Sequence, residues 1–194
     1  TNPGKTFIKV ERSEKNKDKY NNLLVTAQLN YQVAYMGKLN IDEGLDAAAI
    51  NKKTLPPGIM QITVLSETGQ PLAERIVFVA NHSIGNSLLV PQVVSLEKRK
   101  KNSISFDAQE FLNLQAAVSV TNANSEAPGY HDGILSSLLL SGDIRGNINE
   151  PGYYFKDKEP ATLQHLDLVM LINGWRRYNL EDIMANKWPS LHYP

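Results

Sequence analysis

The sequence predicts a mainly β protein: a β-sandwich, then a shorter second β unit, then a C-terminal helical segment. Apolar and polar residues alternate in several short runs of the first eighty residues, as they do in strands that bury one face. The longest pattern, residues 55–79, joins two strand-like runs through a turn with Gly69 and Pro71, which is typical of a β-hairpin. After residue 124 the apolar spacing becomes that of helices, which predicts the helical segment.

Strands are also predicted ahead of this hairpin. Residues 7–12, 23–31 and 33–41 each place their apolar side chains on one face. Gly37 interrupts the third run, where it allows a bulge or a close approach of another segment. Residues 47–50 fit a helical turn or a short strand, since alanine prefers helices, and the surrounding strands favour the strand.

The predicted hairpin is the centre of the first unit. Its first run, residues 59–66, alternates regularly and is expected to be half-buried. Its second run ends at residues 76–79, which are apolar on both faces, so this strand is expected to lie centrally with a cover on each side. The next unit or the helix at residues 163–175 is expected to supply that cover. Phe78→Ala is then expected to cost ~3–5 kcal/mol of stability.

A domain boundary is predicted at residues 81–87, which have the composition of a linker. Residues 90–96, 103–107 and 115–121 are the strand-like runs that follow it. Because a sandwich usually needs about seven strands, the second unit is predicted to be a partial sandwich. The predicted domains are residues 1–82, 83–125 and 126–194.

The first predicted helix follows Asp132, whose side chain is suited to capping it. Its residues Ile134, Leu135, Leu138 and Leu139 are expected to form one apolar stripe. The helix therefore has one side to bury against the rest of the fold.

Two further helices are predicted. Pro160 fits the first position of a helix that is apolar nearly all round as far as Trp175, so burial on most sides is expected. Residues 180–187 are predicted to form a last short helix. The aromatic residues 153–155, in the loop before the second helix, are expected to pack on a neighbouring element.

Composition excludes several classes of function. Twenty basic residues balance twenty acidic ones, which argues against nucleic acid or an anionic membrane as partner. The chain has no Cys, so disulfides, thiolate metal sites and cysteine nucleophiles are excluded. No apolar run approaches the ~20 residues that a transmembrane helix needs.

No catalytic, cofactor-binding or metal-binding residue is predicted, and the chain is not expected to be an enzyme. Ser137 and Ser141 lack the GxSxG surroundings of a serine nucleophile, and His131 beside Asp132 is better explained by the helix cap. The histidines form no HExxH motif and no i, i+4 pair for a metal. They are His82, His131, His165 and His192.

The candidate interaction residues are Trp175, Arg176, Arg177 and Tyr178, because a guanidinium can stack on an aromatic ring and still bind a carboxylate. The alternative is a buried Trp anchor with arginines that favour a helix C-terminus. The basic residues 98–101 are explained by a charged hairpin tip.

Three stretches together resemble a known family. They are LPPG followed by AERIVFV within residues 55–79, AVSVTNA at residues 117–123, and LINGWRRY at residues 171–178. Their order resembles the macroglobulin-like region of large Gram-negative outer-membrane proteins related to TonB-dependent receptors. The resemblance implies an immunoglobulin- or macroglobulin-like sandwich, a second such unit and a helical segment. Residues 101–106 depart from the usual start of the second sandwich, and the thioester of macroglobulin inhibitors is excluded by the missing Cys.

The resemblance implies a non-catalytic binding or scaffolding module from a larger periplasmic or outer-membrane protein. Its first residues lack a signal-peptide pattern, so a signal is expected elsewhere in the parent protein. Other domains of that parent, and protein or glycan ligands, are the expected partners, and no cofactor is expected. Two alternatives remain open: a macroglobulin-like protease-binding module and a hydrolase.

Overall fold

The computed structural model describes residues 4–16, 19–81, 89–93, 95, 97–106, 129–157, 159–174, 182 and 185–187. They form a mainly β structure of antiparallel strands with helices near the C-terminus, as predicted. The chain divides into two compact units: Thr1–Asn81 together with Gly129–Pro194, and His82–Pro128. The helical segment thus belongs to the same unit as the first strands, and the three predicted domains stay a prediction.

The described part of the first unit contains six strands in two sheets. The four-stranded sheet has the order β3-β2-β5-β6, and β1 pairs with β4 in the other sheet, all antiparallel. The predicted strands and the hairpin of β5 and β6 are confirmed, and residues 47–50 lie in a strand. The strands are β1 (Lys5–Glu11), β2 (Asn22–Leu29), β3 (Gln32–Asn40), β4 (Leu45–Asn51), β5 (Gly58–Ser66) and β6 (Pro71–Val79).

One hydrophobic core joins the two sheets. Every second side chain of β2, from Leu23 to Leu29, is buried, because alternate residues of a strand point to the same face. The other sheet contributes Ile8 from β1 and Ile50 from β4 to the same cluster. The period-two pattern of the sequence therefore corresponds to the buried face of β2.

A second core lies on the opposite face of the hairpin. Ile59 of β5 and Ile76 of β6 belong to a cluster of buried residues that includes Leu140, Leu166 and Met170 from the helical segment. β5 is consequently buried on both faces, whereas the alternation of its sequence predicted half-burial. Of the two polar residues in that alternation, Gln61 and Thr63, Thr63 is buried, and its hydroxyl donates to Glu74 on β6.

The prediction that residues 76–79 lie in a central strand is wrong for the described part of the chain, where β6 ends the four-stranded sheet. Its apolar residues nevertheless have a cover on each side. Ile76 belongs to the core shared with the helices, and Val79 belongs to the core between the sheets. An apolar pattern on both faces of a strand therefore indicates that other layers cover both faces. It does not indicate whether the strand is central or at the edge of its sheet.

The first predicted helix is short and changes its hydrogen-bonding pattern. After α1 (Ile134–Ser136) the chain widens into a π-helical turn, Ser137–Ser141, in which the Gly142 N–H donates to the Ser137 carbonyl at 2.9 Å. A glycine ends this turn because a Cβ there would meet the Ser137 oxygen at 2.6 Å.

The predicted apolar stripe of this helix is wrong. Ile134 and Leu138 are each 73% exposed, and Leu140 is the buried leucine. The i→i+5 hydrogen bond of the π turn rotates later residues away from the face that a continuous α-helix would give them.

Asp132 is not the N-cap that the sequence predicted; Gly133 takes that position. The Asp132 carboxylate instead accepts hydrogen bonds from the hydroxyls of Ser136 at 2.6 Å and Ser141 at 2.9 Å. It therefore links both ends of the turn through side chains, and not through the backbone N–H groups.

The second helix, α2 (Pro160–Ile172), begins with proline as predicted. It packs on β6 with one side only, and Leu168, Leu171 and Ile172 are more than half exposed. The expectation of burial on most sides is therefore wrong, because the described part of the chain supplies a layer on one side. None of the described helices has the length and hydropathy needed to cross a bilayer.

The aromatic residues 153–155 pack as predicted, in a 3-10 turn (Pro151–Phe155). The Phe155 ring meets Phe78 of β6 edge to face, with 5.8 Å between centroids. The Tyr153 hydroxyl lies 2.8 Å from Nδ1 of His165 on α2. This turn therefore connects the sheet with α2.

We expect Phe78→Ala to lower the free energy of unfolding by about 1.5–3 kcal/mol, less than full burial would give, because the side chain is only partly buried. Part of the loss is the contact with Phe155. Urea unfolding of Phe78→Ala, Phe155→Ala and the double variant should show a coupling free energy between the two rings of about 0.5–1.5 kcal/mol. If the stability losses of the two single variants sum to the loss of the double variant, the contact between the rings contributes no stability of its own.

The second unit contains one described hairpin. β7 (Leu89–Val93) and β8 (Ser103–Phe106) are antiparallel, and the basic residues 98–101 lie in the turn between them, as predicted. Lys100 is 2.7 Å from the Glu97 carboxylate there. The predicted strand 115–121 lies outside the described residues, as do four of the eight residues of the predicted helix 180–187.

Candidate functional site

The interaction residues predicted from sequence, Trp175, Arg176, Arg177 and Tyr178, lie outside the described residues. In the described part, no group of three or more histidine and carboxylate side chains is placed to hold a metal ion. His131 and His165 are described, and the ring of His165 stacks on Tyr153. The candidate site lies on the surface of the first unit.

A groove of about 1140 Å³ opens on one side of the first unit. The whole of β1 forms one wall, and residues of β6 from Leu72 to Phe78 form the other. Side chains of the core between the two sheets line its floor, namely Leu23, Ile41, Ile62 and Val64. The groove is thus an opening between the sheets through which the apolar core can be reached.

Both walls are strands that pair on one side only, among the described residues. β1 pairs with β4, and β6 pairs with β5. The Lys52 N–H donates to the Gly4 carbonyl at 3.0 Å, and the Arg12 N–H donates to the Gly44 carbonyl at 2.9 Å. Since bonded positions alternate in an antiparallel ladder, the even-numbered residues of β1 bond to β4. The outward-facing backbone groups are those of Lys5, Phe7, Lys9 and Glu11.

The side chains of β1 divide in the same regular way. Ile8 and Val10 point to the core and are partly buried, whereas Phe7 is 64% exposed on the outer face. An extended chain beside β1 would therefore meet the outward-facing N–H and C=O groups of its backbone and apolar atoms at alternate side chains.

One end of the groove is positively charged. Lys52 and Arg75 lie there with Asp167 of α2, whose carboxylate is 3.6 Å from the Arg75 guanidinium. Burial lowers the pKa of the Lys52 ammonium below its usual value, and the Asp167 carboxylate partly opposes this shift. Lys52 is therefore a cation that has lost part of its hydration.

At the other end of the groove, the charged side chain already has hydrogen-bond partners within the protein. The Arg12 guanidinium donates to the Asn21 side chain and to the carbonyls of Asp42 and Lys19. Along the wall between the two ends, the Lys9 ammonium is 3.3 Å from the carboxylate of Glu11. The groove thus has two chemically different ends.

A smaller pocket of about 440 Å³ lies at the π turn, lined by Asp132, Ser137 and Ser141 among others. Both oxygens of the Asp132 carboxylate accept serine hydroxyls, and no histidine is among its described lining residues. The arrangement stabilises the turn, and among the described lining residues the serine hydroxyls meet a carboxylate and no imidazole.

The sequence does not indicate the groove. The one local indication is that Lys9 and Glu11 alternate with apolar residues in β1. This pattern is typical of an edge strand, because charged side chains are common there. Nothing in that run indicates which strand lies across the opening. Comparison with protein-family models, with curated proteins and with solved structures finds no match to this chain.

Proposed function

We propose that this chain is a non-catalytic binding and scaffolding module that holds an extended polypeptide segment in the groove between β1 and β6. The observation that carries the proposal is the outward-facing row of backbone groups on β1 beside a floor of core residues. A strand that adds to a sheet edge gains main-chain hydrogen bonds and places alternate side chains in apolar pockets.

The fold is interpreted here as an immunoglobulin- or macroglobulin-like sandwich with four strands in one sheet and two in the other. Supporting this interpretation are the core that both sheets share and the period-two burial of β2. The two-stranded sheet is short for a sandwich, so a strand added to β1 would widen it over core residues.

The proposed setting is a larger periplasmic or outer-membrane protein related to TonB-dependent receptors, supported by the order of the three sequence stretches. In that setting the bound segment belongs to another domain of the parent or to a protein ligand. The protease-binding and hydrolase alternatives stay predictions, because neither the groove nor the Asp132 pocket favours them.

A proline at position 7 tests strand addition. The Phe7 N–H faces the groove and is not part of the ladder with β4, so Phe7→Pro removes a donor without breaking β1 from β4. Binding would be followed by fluorescence anisotropy with capped eight-residue peptides in which an apolar residue alternates with serine. We expect Phe7→Pro to weaken binding by about tenfold or more, and Phe7→Ala, which keeps the N–H, to weaken it less.

Met36→Pro is the matched control on β3, at the end of the four-stranded sheet opposite β6. The Ile41 N–H donates to the Asn21 carbonyl, which places the odd-numbered residues of β3 in the ladder with β2, so the Met36 N–H also faces outward. Met36 does not line the groove. If no peptide binds, or if both proline variants bind alike, strand addition to β1 is contradicted.

A further inference from the structure

We propose that the polypeptide in the groove runs antiparallel to β1 and carries an acidic side chain near its C-terminal end, beside Lys52. This rests on the proposed function, because it specifies the chemistry and direction of the segment that the groove holds. Three features of the groove support it: its excess of positive charge, the location of that excess, and the direction of β1.

The groove is cationic although the chain as a whole has no net charge. Its described lining contains five basic residues and three carboxylates. The basic residues are Lys5, Lys9, Arg12, Lys52 and Arg75, and the carboxylates are Glu11, Glu74 and Asp167. An occupant with a negative charge therefore complements the lining.

The excess is located at the Lys52 end. Lys5 and Lys52 both line the groove near this end of the ladder of β1 and β4, where Lys5 pairs with Asn51. Among the described residues, Asp167 is the carboxylate that acts on Lys52, and it also pairs with Arg75. Because burial disfavours the charged form of Lys52, a second carboxylate beside its ammonium would be stabilising.

The other two described carboxylates of the groove do not neutralise the positive charge at the Lys52 end. Glu74 accepts hydrogen bonds from Gln61 at 2.9 Å and Thr63 at 3.2 Å on β5. Glu11 is bound to Lys9 at the far part of β1. A carboxylate brought by the occupant would thus find its best partner at Lys52.

The direction follows from the geometry of β1, which runs from Lys5 towards Glu11. An antiparallel strand enters at the Glu11 end and finishes beside Lys5 and Lys52. Antiparallel pairs have straight hydrogen bonds and are slightly more stable per residue than parallel ones. The acidic residue therefore belongs at the C-terminal end of the occupant.

The test uses three capped peptides with the same alternating core: glutamate near the C-terminal end, glutamine at that position, and glutamate near the N-terminal end. Anisotropy titrations at low salt should show the first binding about threefold to fivefold more tightly than the other two. Lys52→Gln should abolish this preference. Lys53→Gln, the same change at a neighbouring lysine that does not line the groove, should retain it.

A second variant distinguishes an effect of charge on peptide binding from an effect of damage to the fold. Asp167→Asn removes the carboxylate that competes for Lys52, so it should tighten binding of the C-terminal glutamate peptide by about twofold to threefold. A damaged fold would weaken all three peptides, and urea unfolding of each variant would reveal it.

The outcomes distinguish the two proposals. Equal binding of the three peptides, or preference for glutamate at the N-terminal end, overturns the inferred chemistry and leaves strand addition standing. Failure of every peptide to bind overturns both. A preference that survives Lys52→Gln also overturns the inference.

Discussion

Met170→Ala is expected to lower the free energy of unfolding by about 2–5 kcal/mol. Met170 is fully buried on the side of α2 that faces β6, in the cluster that also contains Ile59 and Ile76. Truncation removes apolar contacts and leaves a cavity that the sheet and the 3-10 turn can fill only in part. Urea unfolding followed by circular dichroism measures the loss.

The neighbouring residue provides the control. Leu171 is 52% exposed on the other side of the same helix, so Leu171→Ala should change stability by no more than about 0.5 kcal/mol. Alanine suits a helix at either position, which leaves burial as the difference between the two variants. Equal losses would contradict the packing of α2 on β6.

Met60→Ala is expected to cost a similar amount, about 2–5 kcal/mol, for a different reason. Met60 is fully buried in β5 and belongs to the core between the two sheets. Met36→Ala is its control, because Met36 is 62% exposed on the edge strand β3. The same measurement should show a loss several times smaller for Met36→Ala.

The double variant Met60→Ala/Met170→Ala tests whether the two cores act independently. They lie on opposite faces of the hairpin, and no residue belongs to both clusters. The two losses should therefore add to within about 0.5 kcal/mol, still in one cooperative transition. Two separate transitions would show that the helical segment unfolds on its own.

Much of the β structure could be predicted because its causes are local. Alternation with period two marks β2, and the turn around Gly69 joins β5 to β6. Pro160 marks the start of α2 because it tolerates only the first turn of a helix. In each of these, a few consecutive residues determine the backbone conformation.

Errors arose where the outcome depended on distant parts of the chain. The burial of Thr63 depends on the helical layer and on Glu74 of the next strand. The π turn after α1 moves Leu140 into the core in place of Leu138, which no spacing of apolar residues predicts. The candidate residues Trp175 to Tyr178 stay a prediction.

The sequence by itself determined the strands, their pairing in the hairpin and the absence of thiol chemistry. Only the tertiary structure decided that β6 ends its sheet, that α2 covers one face of β5 and β6, and that a groove separates β6 from β1. The physical reason is that alternation specifies which side chains seek burial, whereas the partner that buries them is chosen by the packing of segments far apart in the chain.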